Sequence, residues 1–511
     1  MTLPVAIVGA GPVGLTTALG LAHYGIDCVL FEDEERLSTE TKAGTTLSRS
    51  LEIWRRFGAH RAVLARSMRV DEIGDIERAT NRSRRPVRLS VLAHETRFPF
   101  VINLPQQDME PALAEGLHTD LRFGHRLTDF EQKPDRVVLK FENGKSFEAA
   151  YLLACDGGRS TVREKLGIPV EGTSLPVKYS LIDLEIDLDV ANPRDYPYLA
   201  YFSDPQEWMI LVRHPHCWRF LFPLAAEGEE PSAEALRDKV LSFIGAATDV
   251  RILGKVIYRV HHRVAKQWRR GRVFLMGDAA HLITPMWALG VNTGLLDCSN
   301  LCWRLAWYLR GWAKESVLDG YEREQKPVAL LGAGEMAEAA RRYVATQSDE
   351  VSQISVNEWG NAMTRGMLGV RLDVDGRGDW SMVKYETEPP VRPGDRIPDW
   401  PLHGPGGRDL RAHDLTGDGF AALYLTDARR RPAVPYGGLS GLKHWVVSRW
   451  DAPLDSGLRE RALLDPGDAF LRRLACPPNS LILVRPDDHI AAIVPISPGA
   501  AERAYRDVVG G

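Results

Sequence analysis

"VAIVGAGPVGLTTALGLAHYGIDCVLFE", residues 5–32, decides the fold. Val5 to Val8 is a short apolar run of strand type. Gly9, Gly11 and Gly14 follow as Gly-x-Gly-x-x-Gly, with Pro12 and Val13 inside the motif. Leu15 to Tyr24 reads as a helix, and Gly25 suits its C-terminal cap. Cys28 to Phe31 is a second strand that ends at Glu32. Each glycine answers a separate physical need. Gly9 makes a tight turn, Gly11 lets backbone touch a pyrophosphate, and Gly14 lets helix and strand pack closely. The helix N-terminus turns about half a positive charge toward the phosphates. Glu32 stands where a carboxylate takes a ribose 2′-hydroxyl. The stretch predicts a βαβ dinucleotide-binding unit, and the acid favours FAD or NAD over NADP.

A second strand-and-turn lies some 270 residues later, in "GRVFLMGDAAHLITPMWALGVNTGLLDCSNLCWRLA", residues 271–306. An apolar strand, Val273 to Met276, ends at Gly277-Asp278. A loop holding Pro285, Gly290, Val291 and Asn292 follows, and Gly294 leads into a helix. An NAD dehydrogenase has no use for a second such turn, whereas FAD is long and needs a second cradle for its ribityl chain and ring. Glycines without side chains let the loop backbone approach a ring, and its N–H groups can stabilise negative charge there. Pro285 offers a rigid face with no competing N–H.

Composition sets the outer limits. The chain has 511 residues, enough for two or three domains with their own cores, and its 44% hydrophobic and 26% charged content is that of an ordinary globular protein. A net charge of -4 without a long basic run argues against a nucleic-acid partner. No stretch approaches the roughly 18–20 apolar residues of a membrane span, and the N-terminus reads as strand and turn rather than a signal peptide. Cys28, Cys155, Cys217, Cys298, Cys302 and Cys476 include no CxxC. They read as thiols in a reducing cytoplasm, with no metal site.

Six motifs in order make the chain resemble the FAD-dependent aromatic hydroxylases, the single-component flavoprotein monooxygenases of the para-hydroxybenzoate hydroxylase type. Beside the first glycine motif stands "KAGTTLSRSLEIWRRFG", residues 42–58, with Lys42-Ala43 where the family usually has Arg-Ala, then Arg49 and Glu52. "LPQQDMEPAL" supplies Gln106 and Glu110, and "CDGGRSTVREKLGI" supplies Asp156, Gly157, Arg159 and Arg163 of a DG motif. Gly277-Asp278 matches the GD motif, and the stretch Val317 to Pro327 resembles the usual end of the flavin domain. Thr284-Pro285 replaces the family's Pro-Pro, and Ala288-Leu289-Gly290-Val291-Asn292 replaces its Gly-Gln-Gly-Met-Asn. The resemblance implies an FAD site built from Gly9, Gly11, Pro12, Val13, Gly14, Glu32, Lys42, Gln106, Asp156, Gly157, Arg159, Gly277, Asp278, Pro285, Gly290, Val291 and Asn292. It further implies NADPH or NADH as a transient reductant, with Lys42, Arg159 and Arg163 as candidates for its phosphates. The implied reaction is hydroxylation of a phenolic substrate with O2 through a flavin C4a-hydroperoxide. The same motifs serve Baeyer–Villiger insertion or antibiotic modification on a polyketide. A non-catalytic carrier that kept the fold is the remote third reading.

The implied fold class is α/β: a Rossmann-type FAD-binding domain, an inserted β-rich substrate domain and a C-terminal thioredoxin-like domain. Residues 1–80, 101–175 and 265–330 read as the discontinuous FAD domain, and 81–100 with 176–264 as the substrate sheet. Residues 331–389 read as a helix, begun by "VALLGAGEMAEAARRYV", and a linker. Residues 390–511 read as the terminal domain, marked by "PGDRIPDW" and "LVRPDDHIAAIV". Without CxxC, its expected role is structural or at a subunit interface, with a homodimer as the expected assembly. "EWMILVRHPHCWRFLFPL" reads as two strands joined at His214-Pro215-His216. Trp208, Trp218, Phe220, Pro285 and Trp287 are the expected pocket walls, with Met209 beside them. Arg213 and Arg219 read as solvated strand charges or as anchors for an acidic substituent. His214, His216 and Tyr201 are catalytic candidates by chemistry alone. His281 is assigned no acid–base role.

Overall fold

Val5–Val8 runs parallel to Tyr151–Ala154 on one side and to Cys28–Phe31 on the other. All twelve residues of these strands are buried. Continuous apolar runs of this kind belong to a sheet covered on both faces. In this computed structural model the sheet has six strands, in the order Arg269–Arg270, Val273–Leu275, Tyr151–Ala154, Val5–Val8, Cys28–Phe31 and Asp120–Arg122. The structure describes residues 3–39, 44–83, 86–186, 188, 196–204, 207–225, 227, 229–244, 250–283, 286–333, 371–374, 376, 390–426, 438–448, 460–477 and 479–510. The first helix runs Pro12–His23, and Gly25 beyond its end is left-handed at φ +64, as its place at a C-terminal cap requires.

The inserted sheet reaches further into its neighbours than the sequence boundaries suggest. Glu72–Glu77, inside the stretch 1–80, pairs in parallel with Leu199–Ser203. Val170–Glu185, which begins before residue 176, pairs with both Trp218–Ala225 and Arg251–Ala265. Register between strands a hundred residues apart leaves no local mark, so a composition shift misplaces such borders. At the other border His281–Leu282 pairs with Arg263 and Val264, which ties the inserted sheet to the turn after Gly277-Asp278.

The two faces of this sheet go to different cores. Tyr179, Leu199, Tyr201, Trp208, Ile210, Val212 and Leu221 join the core of the nucleotide-binding domain. Ile182, Leu184, Phe202, Met209, Leu211, Trp218, Phe220 and Phe222 form a second cluster with Leu236, Val240 and Ile244 of the helix Ala233–Ile244. Side chains alternate across a strand, so neighbours in the sequence serve opposite layers.

The terminal unit is a mixed seven-stranded sheet in which Phe420–Leu425 pairs in parallel with Leu442–Ser448 and antiparallel with Ser480–Val484. It packs on the helix Leu289–Leu309 through rings: Trp303 and Trp307 meet Phe420 edge-on, and the Trp307 indole donates to the Tyr505 hydroxyl at 2.9 Å. Buried charge completes the contact. Arg485 meets Glu324, which also pairs with Arg304, while Arg396 meets Glu52, which also pairs with Arg49. The sequence-based helix after Val328 is described only through Val328–Ala333, a π-helical turn. Its remainder lies outside the described residues.

Burial pushes the Glu324 and Glu52 carboxyls up, but the guanidiniums around each outweigh it and hold both down at about 2. An unfolded glutamate titrates near about 4.3. Ionised Glu324 and Glu52 therefore stabilise the fold above that value, and this contribution disappears as pH falls toward 2. Melting temperature measured from pH 7 to pH 2.5 is expected to drop steeply below about pH 4. Glu324→Gln is expected to cost about 3–5 kcal/mol at neutral pH, because two arginines stay buried without it. The same substitution flattens part of the acid drop. An unchanged melting curve in the variant contradicts this account.

Candidate cofactor site

Each of the four central parallel strands hands over to one of the sequence motifs. Gly9 follows Val8, Glu32 follows Phe31, Asp156 lies just beyond Ala154, and Gly277 just beyond Leu275. Parallel strands put these four turns on one edge of the sheet. The chain leaves Val5–Val8 for a strand on one side and meets Tyr151–Ala154 on the other. Open α/β sheets bind ligands at such a switch point, beyond the carboxyl ends of the strands.

Two of the motif glycines are demanded by the protein itself. Gly9 has φ +99, and a Cβ there would lie 2.3 Å from the Cys155 carbonyl oxygen. A Cβ on Gly14 would lie 1.8 Å from the Gly9 carbonyl oxygen. Gly11 differs. Its φ of -68 suits any residue, and a Cβ would meet only Glu110 Oε1, at 4.0 Å. Among the described residues, Gly290 likewise faces only the Ile283 carbonyl oxygen, at 4.0 Å. The chain needs no glycine at these two positions, but a flat or phosphorylated ligand brought against the backbone does.

The acids around the turns are held in place. Glu32 Oε2 accepts from the Ala10 backbone N–H at 2.6 Å, so it braces the glycine turn. Burial, with Asp33 beside it, pushes the Glu32 carboxyl up to about 7. On the helix Gln106–Ala114 the Gln106 amide donates to Glu110 Oε1 at 2.7 Å, and the Ser38 N–H donates to Glu110 Oε2 at 2.9 Å. Asp156 Oδ2 accepts from the Val162 N–H at 3.1 Å, while its Oδ1 is shielded from solvent and has no hydrogen-bond partner among the described residues. Burial pushes the Asp156 carboxyl up. A buried acceptor of this kind suits a hydroxyl donor, and a sugar chain supplies one.

The second turn is fixed from behind. Gly277 is left-handed at φ +54, its N–H donates to Asp297 Oδ2 at 2.9 Å, and His281 Nε2 meets the same oxygen at 2.8 Å. Asp278 is exposed between buried neighbours, directed away from the core. Asn292 uses both ends of its amide. Oδ1 accepts from the Leu47 N–H at 2.9 Å and the Ser50 hydroxyl at 2.6 Å, and Nδ2 donates to the carbonyls of Thr45 at 3.1 Å and Ala288 at 2.7 Å. The side chain joins the glycine loop to the start of the helix Ser48–Arg56. Ala288, where the family has glycine, is left-handed at φ +58, a conformation that costs a non-glycine residue about 1–2 kcal/mol.

Several sequence expectations are relocated. Trp218 and Phe220 lie on the sheet face under the helix Ala233–Ile244, so they do not wall a pocket beside the nucleotide-binding domain. Met209 lies with them, whereas Trp208 lies on the face toward that domain. Arg219 is no solvated strand charge: it is buried in a two-toothed pair with Asp183, at 2.8 and 2.9 Å. Arg163 is not free for a phosphate, because its guanidinium donates to the carbonyls of Ala279 at 3.0 Å and Gly158 at 2.7 Å. It thereby ties the DG segment to the GD turn. That role was missed because carbonyl partners leave no trace in a motif. Arg159 is exposed and Gly157 is left-handed with open space around it. His216 is exposed on its turn. Lys42, Thr284, Pro285 and the side chain of Trp287 lie outside the described residues.

Gly11→Ala and Gly14→Ala separate these roles. Gly14→Ala is expected to abolish folding, because its methyl would overlap backbone that cannot move. Gly11→Ala is expected to fold, with an apoprotein melting temperature within about 2 °C of the parent, yet to bind FAD at least about tenfold more weakly, about 1.4 kcal/mol. Calorimetric titration with FAD checks this, and unchanged affinity in Gly11→Ala contradicts it.

The model of the family described as an FAD binding domain matches residues 2–331. A 3-(3-hydroxy-phenyl)propionate/3-hydroxycinnamic acid hydroxylase of Burkholderia cenocepacia (strain HI2424) is 32% identical over 337 residues, which are 63% of this chain and 60% of that protein. The chain thus matches less than two thirds of that relative's length. The tetracenomycin B2 monooxygenase-dioxygenase of Streptomyces olivaceus is 29% identical over 472 residues, 83% of this chain and 84% of that protein. A solved ternary complex of aklavinone-11 hydroxylase with FAD and aklavinone superposes with a TM-score of 0.81 at 25% identity, over 100% of this chain and 99% of that one. Four motifs gathered at one sheet edge and a family match that begins before the first and ends after the last agree: the chain belongs to the FAD binding domain family.

Proposed function

We propose that this protein is an FAD-dependent monooxygenase that hydroxylates a phenolic ring with NAD(P)H and O2. The observation that carries the reading is the sheet edge itself. Among the described residues, no atom comes closer than 4.0 Å to a Cβ placed on Gly11 or Gly290, and Asp156, held by the Val162 N–H, stands on the same edge. Bound FAD supplies the oxygen activation that no amino acid side chain provides. Gly9, Gly11, Gly14 and Glu32 would hold the adenosine half of FAD, Asp156 and Asp278 the sugar chain, and the backbone of Ala288 to Asn292 the ring.

The protein's own share is orientation and exclusion of water. The sheet face that meets the nucleotide-binding domain carries Tyr179, Tyr201, Trp208 and, at its edge, Tyr258. These rings suit an aromatic substrate lodged between sheet and cofactor. His214 lies at the polar end of the same face, fully buried, with neither ring nitrogen hydrogen-bonded among the described residues. Its Nε2 is 2.9 Å from the point where a Cβ on Gly44 would stand. Burial, with Arg219 and Arg213 nearby, holds the His214 imidazole well below its ordinary pKa. A neutral imidazole can hydrogen-bond a phenol hydroxyl, but a base this weak does not take its proton. Six free thiols fit a reducing compartment, in line with a cytoplasmic location. Among the described residues no helix is long and apolar enough to cross a membrane.

Relatives named for a hydroxyphenylpropionate, a tetracenomycin and aklavinone define the substrates to try, from a single ring to a polycyclic polyketide. NADPH and NADH oxidation by the FAD-loaded protein is expected to accelerate at least about tenfold with one of these phenols, with little hydrogen peroxide released. Trp208→Ala is expected to raise KM for that phenol and the peroxide fraction. Trp218→Ala is expected to lower the melting temperature, as a large core deletion costs about 3–5 kcal/mol, without raising the peroxide fraction in the protein that folds. Flux that goes wholly to peroxide with every phenol, or no acceleration at all, sinks the proposal. A second expectation concerns pH. Because His214 stays neutral, kcat/KM between about pH 5.5 and 8 carries no limb that His214→Gln removes.

A further inference from the structure

"RPDDH", residues 485–489, is the tight turn between the strands Ser480–Val484 and Ile490–Pro495 of the terminal unit. Nothing in the proposed chemistry uses it, yet its two acids are almost wholly buried. Asp488 is left-handed at φ +62. Its Oδ2 accepts from Arg49 at 3.0 Å, and its Oδ1 pairs with Arg56 and accepts from the Thr416 hydroxyl at 3.2 Å. The Asp487 carbonyl accepts from Arg49 at 2.6 Å, and its carboxylate accepts from the Trp303 indole at 3.0 Å. Arg485 reaches Glu324 at 2.9 Å, and Glu324 accepts from Asn300 at 2.8 Å. One turn thus grips the helix Ser48–Arg56 through Arg49 and Arg56, and the helix Leu289–Leu309 through Trp303 directly and Asn300 by way of Glu324.

These are the two helices whose opening residues Asn292 joins. Asn292 holds Leu47 and Ser50 on one side and Ala288 on the other. Buried ion pairs are a poor source of stability, because desolvation consumes most of the Coulomb gain and apolar packing would serve as well. What a charged network does better is fix relative position, since each partner has one geometry that satisfies it. The guanidiniums of Arg49 and Arg56 outweigh the cost of burial and hold the Asp488 carboxyl well below its usual range, with His413 adding to them, so both aspartate–arginine contacts are fully charged at neutral pH.

We propose that Asp488, supported by Asp487, is a positioning residue for the cofactor loop: the turn 485–489 sets the spacing of the helices Ser48–Arg56 and Leu289–Leu309, and so the placement of Asn292 and of the backbone from Ala288 to Asn292. This rests on the reading that the loop faces the flavin ring. The terminal unit then belongs to the working site without contributing an atom to it.

The test uses the full-length, FAD-loaded protein and compares Asp488→Asn with Arg473→Gln. Asparagine tolerates the left-handed backbone, so the turn keeps its shape while its charge is lost. Arg473 bridges the same terminal unit to Glu95, a residue that belongs to neither helix. The readouts are the position and fine structure of the visible FAD absorption band, and the share of consumed reductant that appears as hydrogen peroxide. Asp488→Asn is expected to retain FAD, to shift the band, and to raise the peroxide share at least threefold. Arg473→Gln is expected to match the parent in both. A parental band and peroxide share in Asp488→Asn overturn the proposal, even if its melting temperature falls. So do equal changes in both variants, which would mark a general loosening. If Asp488→Asn does not fold, Asp487→Asn, which keeps both Asp488–arginine pairs, is judged by the same two readouts. A parent protein that binds no FAD would instead overturn the reading of the site itself, and this proposal with it.

Discussion

Val13 is wedged between two glycines. A Cβ on Gly277 would lie 2.9 Å from a Val13 methyl, and a Cβ on Gly294 would lie 2.6 Å from the same methyl. The helix Pro12–His23 must lie flush on its strand, at Gly9 and Gly14, and equally flush on the helix Leu289–Leu309. That close approach brings the first and last nucleotide-binding motifs, some 265 residues apart, onto one sheet edge. Side chains at any of these glycines would separate the layers, and at interior packing density such a gap cannot be absorbed locally.

The inserted sheet depends on the same joint. Its last strand pairs with His281–Leu282, next to the Gly277 turn, and Asn103 hydrogen-bonds both Thr45 and the Tyr198 carbonyl. The sheet is therefore held at both ends against the cofactor edge, with its aromatic face turned inward. Strand alternation makes that orientation all-or-none. A slip of one residue would present Trp218 and Phe220 in place of Arg219 and Leu221, and would bury the Asp183–Arg219 pair under the helix Ala233–Ile244.

Charge is distributed unevenly through the molecule. Exposed pairs such as Arg69–Asp71 contribute little, whereas the buried ones concentrate where the terminal unit meets the nucleotide-binding domain. Arg49 and Glu52, which align with a family motif, look outward to that unit rather than inward to the cofactor. The ring contacts of Trp303 and Trp307 with Phe420 supply the apolar part of the same interface. A joint with both components holds two bodies together and also fixes their register.

By itself the sequence determined the nucleotide-binding edge. Gly9, Gly14, Glu32, Asp156 and Gly277 were legible because each sits within a few residues of a strand end, and a strand end with its turn is a local event. The hairpin around His214 was equally legible, because it too is closed by neighbours in the chain. Only the tertiary structure decided which residues of the inserted sheet face the nucleotide-binding domain. Alternation tells two faces apart without saying which one is covered by the helix Ala233–Ile244, and so Trp208 and Trp218 could not be ranked. Nor could the sequence place Arg163, Arg219 or Asp488, whose partners include carbonyls or charges 36 to 439 residues away in the chain. Long-range pairing is chosen by the free energy of the whole fold, and no window of sequence contains that choice.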